Sequence, residues 1–367
     1  SKGTLFLSGA SLGTGGFGEV CAVVAITEAV RDLHKIAVGQ VVSSYEAHTA
    51  ITKMADTLVK NAFDSEVAQK LAVKKVSTSF AYDDEKRIIN ELGKVAQQKQ
   101  LAPSPYIIEC VAANDPEQLL FFELAVGCLD DLLWQETGDG IKMPRDMDTW
   151  TVLFLGQQIL DGVSYLHMCD INHRDIKPAN ILLMHLRSEI ESMSIGEMVA
   201  QPAVKIADFG LSVLCGPDAP DVVAGAGTLP YMAPEALSGD ILEFPKAADT
   251  WACGITITEM MQGGSIFAGH LPGDDTEACA EADAETIDVI MRWGCGNPDS
   301  AFMHSERAPK EAPYGDCDGK LCSIVYDLTQ PDADVRMPAG TARDLMRSQH
   351  EALLQELQAV RQELLTL

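Results

Sequence analysis

Positive charge is scarce in this 367-residue sequence: 27 Lys and Arg face 54 Asp and Glu, a formal net charge of −27. Nucleic-acid binders set Lys and Arg against phosphates, so that class is excluded. Anionic leaflets attract basic segments, which excludes a membrane-surface role. Long apolar runs are lacking too, and none approaches the ~18 residues that a membrane span requires. The ten cysteines include no C-x-x-C. Their tightest pair, Cys317 and Cys322, lacks the second pair or histidine doublet of a zinc site. This usage predicts reduced thiols in a reducing, cytoplasmic compartment. What remains is an ordinary globular composition, 47% hydrophobic and 22% charged, enough to bury a core of normal size.

Length suggests about two domains of ~150 residues, and the patterning changes along the chain accordingly. Residues 4–26 read as two strands around a glycine-rich turn. Helical spacing predicts a helix at about 45–63, and Lys70 to Ser77 is a β-type run. Asp83 to Gln98 reads as a helix with Ile88, Leu92 and Val95 on one face. Ile107–Ala112 and Gln118–Leu124 form a strand pair. From Trp150 the pattern turns helical, with Val152, Leu155, Ile159, Val163 and Leu166 as a stripe. A β-rich first third and a helical remainder imply an α+β chain of two lobes, with a boundary near residue 125.

Gly13-Thr14-Gly15-Gly16-Phe17-Gly18-Glu19-Val20 lies between the first two strands. Glycines there let backbone N–H groups approach phosphate oxygens without a Cβ in the way. A strand follows instead of a helix, so this is no dinucleotide fingerprint, and the Gly-Lys-Ser/Thr ending of a P-loop is missing. Downstream, Ala72 and Lys74 share one face of a strand, where a small residue can cover a flat base while the lysine reaches phosphates.

The central third carries His173-Arg174-Asp175-Ile176-Lys177-Pro178-Ala179-Asn180, then Asp208-Phe209-Gly210, then Ala233-Pro234-Glu235. In this order, after the glycine loop and the lysine, these strings resemble the eukaryotic-type protein kinases over roughly residues 5–345. The resemblance implies a bilobal fold with a small β-rich N-lobe over 1–124, a larger, mainly helical C-lobe over 125–340, and the active site between them. It implies ATP and Mg²⁺ as reactants, and a protein hydroxyl as acceptor. Asp175 would take the proton of the attacking hydroxyl, and Lys177 would neutralise γ-phosphate charge. Asn180 and Asp208 would offer oxygen ligands to Mg²⁺. Glu91 is chosen as the partner of Lys74. Glu85 is the alternative, read as an acid answering the helix dipole beside Asp83 and Asp84. Gly13, Gly15, Gly16 and Gly18 would cover the phosphates. Val20, Ala72 and Leu182 would sandwich the adenine, with Phe122 behind it and the hinge Glu123-Leu124-Ala125 beside it.

Lys177 in Asp-x-Lys-Pro, with Thr228 in Gly227-Thr228-Leu229-Pro230-Tyr231, resembles serine/threonine kinases. The acidic exterior favours basic protein substrates through steering, and Asp130 and Asp131 could add to this or simply start a helix. Three departures from the family pattern stand out. Residues 213–227 contain no Ser, Thr or Tyr, so Asp218 or Asp221, or a partner, would replace an activating phosphate opposite Arg174. Residues 27–66 and, on a smaller scale, 187–201 are insertions. Residues 341–367 continue as a helix, capped by Thr341 and Asp344, with Met346, His350, Leu353, Leu357, Val360, Leu364 and Leu367 at alternating spacings of four and three. That stripe either forms an oligomer as a short coiled coil or packs back on the large lobe. The rival function is a kinase-like scaffold acting through its insertions and tail.

Overall fold

The computed structural model describes residues 5–15, 18–26, 70–136, 142–145, 147–186, 189–190, 201–217, 219–237, 240–263, 287, 290 and 320–366. The helix expected at 45–63, Gly16 and the 27–66 insertion lie outside these residues, as does nearly all of 187–201. The chain forms two compact units, Ser1–Arg87 with Ile108–Ala125, and Ile88–Ile107 with Val126–Leu367. Residues 88–107 belong to the second unit.

The first unit is a five-stranded sheet of order β1-β2-β3-β5-β4. Its strands are β1 (Leu5–Gly15), β2 (Gly18–Ile26), β3 (Lys70–Val76), β4 (Cys110–Asn114) and β5 (Leu119–Glu123). Its neighbouring strands run antiparallel, with Val20 opposite Lys74 and Ala72 opposite Phe122. Gly18 stands at the β1–β2 turn with φ +154°, and a Cβ there would lie 2.1 Å from the Lys75 carbonyl oxygen. Only glycine fits this approach.

Helix α1 (Ser79–Gln98) starts four residues before the sequence expectation. Tyr82, Glu85 and Ile88 are buried in its first half, spaced three apart as on one helix face. Tyr82 donates its hydroxyl to Asp115 (2.7 Å), which also pairs with Lys86. Burial, then the Asp115 carboxylate, pushes the Tyr82 hydroxyl well above the usual tyrosine range.

The second unit is built on helices. β6 (Gly127–Cys128), helix α2 (Asp130–Leu133) and the hairpin β7 (Trp134–Glu136) and β8 (Lys142–Pro144) precede helix α3 (Thr149–Met168). Asp148 caps α3 by accepting from Thr151 N (3.0 Å), satisfying one free amide of its first turn. Short strands β9 (Ile171–Asn172), β10 (Ile181–Leu183), β11 (Val204–Ile206) and β12 (Val213–Leu214) follow. β9 pairs with β12, and β10 lies between β6 and β11. Helices α4 (Pro245–Gln262), α5 (Lys320–Leu328) and α6 (Ala339–Thr366) complete the described elements. α4 is buried without interruption from Asp249 to Met261, as expected of a central core helix. Arg336, its side chain wholly buried, is bound by both carboxylate oxygens of Glu235 at 2.6 and 3.0 Å and lies over the Trp251 ring.

The tail helix packs back. Ala342, Met346 and His350 are buried at successive intervals of four, and Met346 touches Gly156 of α3, where a Cβ would come within 2.6 Å of the methionine methyl. Arg343 and Arg347 both reach Asp161 of α3. The expected cap at Thr341 is not formed: α6 already starts at Ala339, so Thr341 N donates to the Pro338 carbonyl (3.0 Å), and Asp344 pairs with Arg343 (2.8 Å). The side chains of Leu357, Val360, Leu364 and Leu367 lie outside the described residues.

Candidate active site

In the first unit, Lys74 is only 7% exposed on β3. Its Nζ lies 2.8 Å from both carboxylate oxygens of Glu85, itself 1% exposed. This overturns the choice of Glu91, which is partly exposed and pairs with Lys94 on the next turn (2.6 Å). The reason is the start of α1. With Ser79 as first residue, Glu85 lies in the second turn on the buried face, not in a first turn answering the dipole. Val20 and Ala72 sit on neighbouring strands of the same sheet. Glu123 ends β5, and its carboxylate accepts from Glu109 N (2.8 Å). Ala125 is half-buried.

In the second unit, the loop after β9 converges on one carboxylate. Asp175 accepts from Lys177 Nζ (2.8 Å) and Asn180 Nδ2 (2.8 Å) at Oδ2, and from the Thr228 hydroxyl (2.6 Å) at Oδ1. Lys177 also donates to Thr228 Oγ1 (2.6 Å), closing a ring of three side chains. Asn180 Nδ2 donates a second time, to the Asp175 carbonyl (2.8 Å). Its amide donors are thus occupied while Oδ1 is left for other use. Ala207 N donates to the Asn180 carbonyl (2.9 Å), which sets Asp208 beside this strand end. Asp208 adopts φ +67° and accepts from Gly210 N (3.2 Å). Phe209 is buried, edge-on to the His173 ring with centroids 5.5 Å apart. Leu182 is half-buried on β10, opposite Cys128 and Lys205.

His173 orders the loop internally. Asp175 N donates to its Nδ1 (3.3 Å), so its proton resides on Nε2 and is donated to the Ala207 carbonyl (3.1 Å). The main support comes from α4, where Asp249 accepts from the backbone amides of His173 and Arg174 (2.8 Å each) and faces His167 Nε2 (3.0 Å). Arg174 is held at φ +70°, a conformation that a non-glycine residue keeps only when its surroundings enforce it.

A model of the protein kinase domain matches residues 45–339. The chain belongs to the protein kinase family. With Lys177 and Thr228 on Asp175, this is a serine/threonine protein kinase. The match begins after the glycine-rich hairpin of β1 and β2. Among curated relatives, the kinase is similar to mitogen-activated protein kinase mpkC of Aspergillus oryzae, 27% identical over 294 residues, covering 78% of this chain and 76% of that one. It is also similar to mitogen-activated protein kinase 16 of Arabidopsis thaliana, 27% identical over 281 residues, 74% and 45% covered. Mitogen-activated protein kinase 16 of Oryza sativa subsp. japonica is 27% identical over 308 residues, 82% and 58% covered. The kinase therefore spans about three quarters of the fungal relative and about half of these plant ones.

Asp249 escaped the sequence reading. The available signal was a carboxylate near the start of the mostly apolar run from Ala247 to Met261, which holds one other acid, Glu259, since a buried acid needs strong donors nearby. The expected substitute for an activating phosphate is not seen at Asp221: it is exposed, and no ion pair joins it to Arg174 among the described residues. Asp218 lies outside them. Ser212 is buried and donates to the His173 carbonyl (3.2 Å), so its hydroxyl is structural. Asp130 and Asp131 serve local ends, accepting from Trp134 Nε1 (3.3 Å) and Cys128 N (2.8 Å). Burial, then Asp131, pushes the Cys128 thiol up to about 11.

Proposed function

We propose that the kinase transfers the γ-phosphoryl group of ATP to serine or threonine of protein substrates, with Asp175 receiving the acceptor's proton and Mg²⁺ held by Asn180 and Asp208. The observation that carries this reading is the three-donor clasp on the Asp175 carboxylate. An acceptor-only group held by Lys177, Asn180 and Thr228 cannot rotate away from an incoming hydroxyl, and fixed orientation is what phosphoryl transfer asks of its protein groups. The oxygen set fits a hard cation: both amide donations of Asn180 go to Asp175, which leaves its Oδ1 as an oxygen ligand, and Asp208 adds a carboxylate. When bound, Mg²⁺ supplies neutralisation of phosphate charge. Lys177 provides positive charge beside the reacting hydroxyl. Lys74, oriented by both oxygens of Glu85, serves the phosphates of ATP. Gly13, Gly15, Gly16 and Gly18 cover those phosphates, while Val20, Ala72, Glu123, Ala125 and Leu182 receive the adenine.

Basic protein substrates fit the acidic chain, and free thiols such as Cys169 and Cys253 suit a reducing, cytoplasmic compartment. The first turns of α6 are covered by α3, so any oligomer contact through 341–367 would have to use later turns. A scaffold function is not favoured by a chain whose sequence keeps all of Lys74, Asp175, Asn180 and Asp208. The deciding experiment is ATP turnover on a generic basic protein. Asp175→Asn is expected to lower kcat by roughly 10²–10⁴-fold, the usual worth of a positioned base, with fluorescent-nucleotide affinity unchanged. Equal loss of nucleotide affinity refutes the assignment of Asp175, and wild-type turnover no faster than that of Asp208→Ala refutes the enzyme reading.

A further inference from the structure

An exposed two-strand ribbon joins the activation segment to the approach of α4. Val223 and Ile241 stand opposite one another in an antiparallel bridge. Ala224 N donates to the Asp240 carbonyl and Leu242 N to the Val222 carbonyl, both at 2.8 Å. These bonds flank the bridge, making Val223 and Ile241 a non-hydrogen-bonded pair, the arrangement in which facing side chains come closest. Alternation sends Val222 and Leu242 inward, and both are buried. The outer face then carries Val223 (54% exposed) and Ile241 (60% exposed). Asp221 and Glu243, two residues to either side of this pair in sequence, are exposed as well.

Two features of this face ask for a partner. An aliphatic pair is left in water, with Phe244 (40% exposed) just beyond it. Two carboxylates, Asp221 and Glu243, are also exposed just beyond the bridge, and neither has a cation within ion-pair distance among the described residues. Lys246, the nearest lysine in sequence, is engaged by Asp170 (2.8 Å). The occupant must therefore offer apolar groups and positive charge together. A second copy does not fit, because a chain of net charge −27 would be repelled by these carboxylates.

We propose that the ribbon Asp221–Ala224 with Asp240–Phe244 is a docking surface for protein substrates, receiving a segment in which aliphatic residues alternate with Lys or Arg. The proposal deepens the protein-kinase reading and rests on it. Location supports it: Val223 and Asp175 line one cavity. Thr228, which touches the Asp175 carboxylate, lies five residues beyond Val223, at most about 17 Å of extended chain. A segment held on the ribbon thus keeps a neighbouring acceptor hydroxyl near Asp175 and raises its effective concentration.

The test uses two peptides that share one acceptor-serine core, one extended by Lys-Leu-Lys-Leu and the other by an equally long Ser-Gly segment. On the wild-type kinase the basic-aliphatic extension is expected to lower KM by about tenfold, equivalent to ~1.4 kcal/mol, with kcat unchanged. Ile241→Ser and Glu243→Lys should each remove most of that difference while leaving kcat and KM for the Ser-Gly peptide unchanged. Fluorescence anisotropy of the labelled Lys-Leu-Lys-Leu segment alone, on wild type and Glu243→Lys, reads docking without turnover. Equal KM values for the two peptides on wild type, or a difference that persists in both variants, overturns the proposal. Failure of both peptides to be phosphorylated counts against the kinase reading instead, and the anisotropy result still decides docking. If Ile241→Ser does not fold, the exposed Glu243→Lys variant carries the test.

Discussion

Lys74 keeps a positive charge where water barely reaches, so its partner decides whether that charge can stay. A buried cation without a carboxylate is strongly penalised, and Glu85 reaches Lys74 with both oxygens. Glu85→Gln is therefore expected to lower kcat/KM by about 10²-fold, from a loss of roughly 3 kcal/mol at a broken buried pair. Glu91→Gln, which breaks only a solvated pair one turn apart, should change it by less than about twofold. Steady-state kinetics on the two variants separate these outcomes. Residues close together in sequence were the easier ones to read. Asp175, Lys177 and Asn180 lie within six positions, so their spacing alone brings them to one place. Glu85 was harder, because its role depends on where α1 begins, and that start is set by Thr78, whose hydroxyl accepts from Ala81 N (3.2 Å), not by the acidic pair Asp83 and Asp84 further on. Asp249 contacts residues more than seventy positions away, and no local pattern encodes that distance.

At the scale of elements, α6 shows how one stripe serves two readings. The spacing of Met346 and His350 was plain in the sequence, but the same spacing suits a partner helix or a helix of the same chain. What decides it is Gly156 on α3, whose missing side chain makes room for Met346. His350 meets α3 at Trp150, Phe154 and Gln157, with ring centroids 5.1 and 5.9 Å away and Gln157 Nε2 3.1 Å from its Nδ1. Its Nε2 is buried with no hydrogen-bond partner among the described residues. Burial lowers its pKa from the ordinary 6.5, against a smaller opposing effect of Glu351. A base depressed in the docked state is neutral in both states above about 6.5. As pH falls below that value, the undocked helix binds a proton that the docked one resists, so docking weakens. Hydrogen exchange of the α6 amides is expected to accelerate between pH 7 and pH 5.5 in the wild type and much less in His350→Gln. A slope shared by both proteins would exclude His350 as its cause.

For the whole molecule, the charge balance was legible from composition, yet it identified no reaction. Its consequence is kinetic. Under the proposed preference for basic substrates, a field set by 27 excess negative charges would draw them in, and it is screened over about 8 Å at physiological salt. Raising salt from 50 to 500 mM should therefore raise KM for a basic protein substrate by about tenfold or more, within the range expected for electrostatic steering. KM for a neutral peptide should stay nearly constant, and parallel changes for both substrates would remove steering as the cause.

The anchoring of the loop around Asp175 also limits how this chain can vary. Asp249 offers two acceptor oxygens to two consecutive backbone amides from a helix buried on every side. Asparagine would turn one of those oxygens into a donor facing an N–H, and glutamate would add a methylene where the core leaves no room. The position thus has a vocabulary of one residue. Drift in the surrounding apolar helix is tolerable wherever volume is kept, but here the alphabet closes, although Asp249 itself need never meet a substrate.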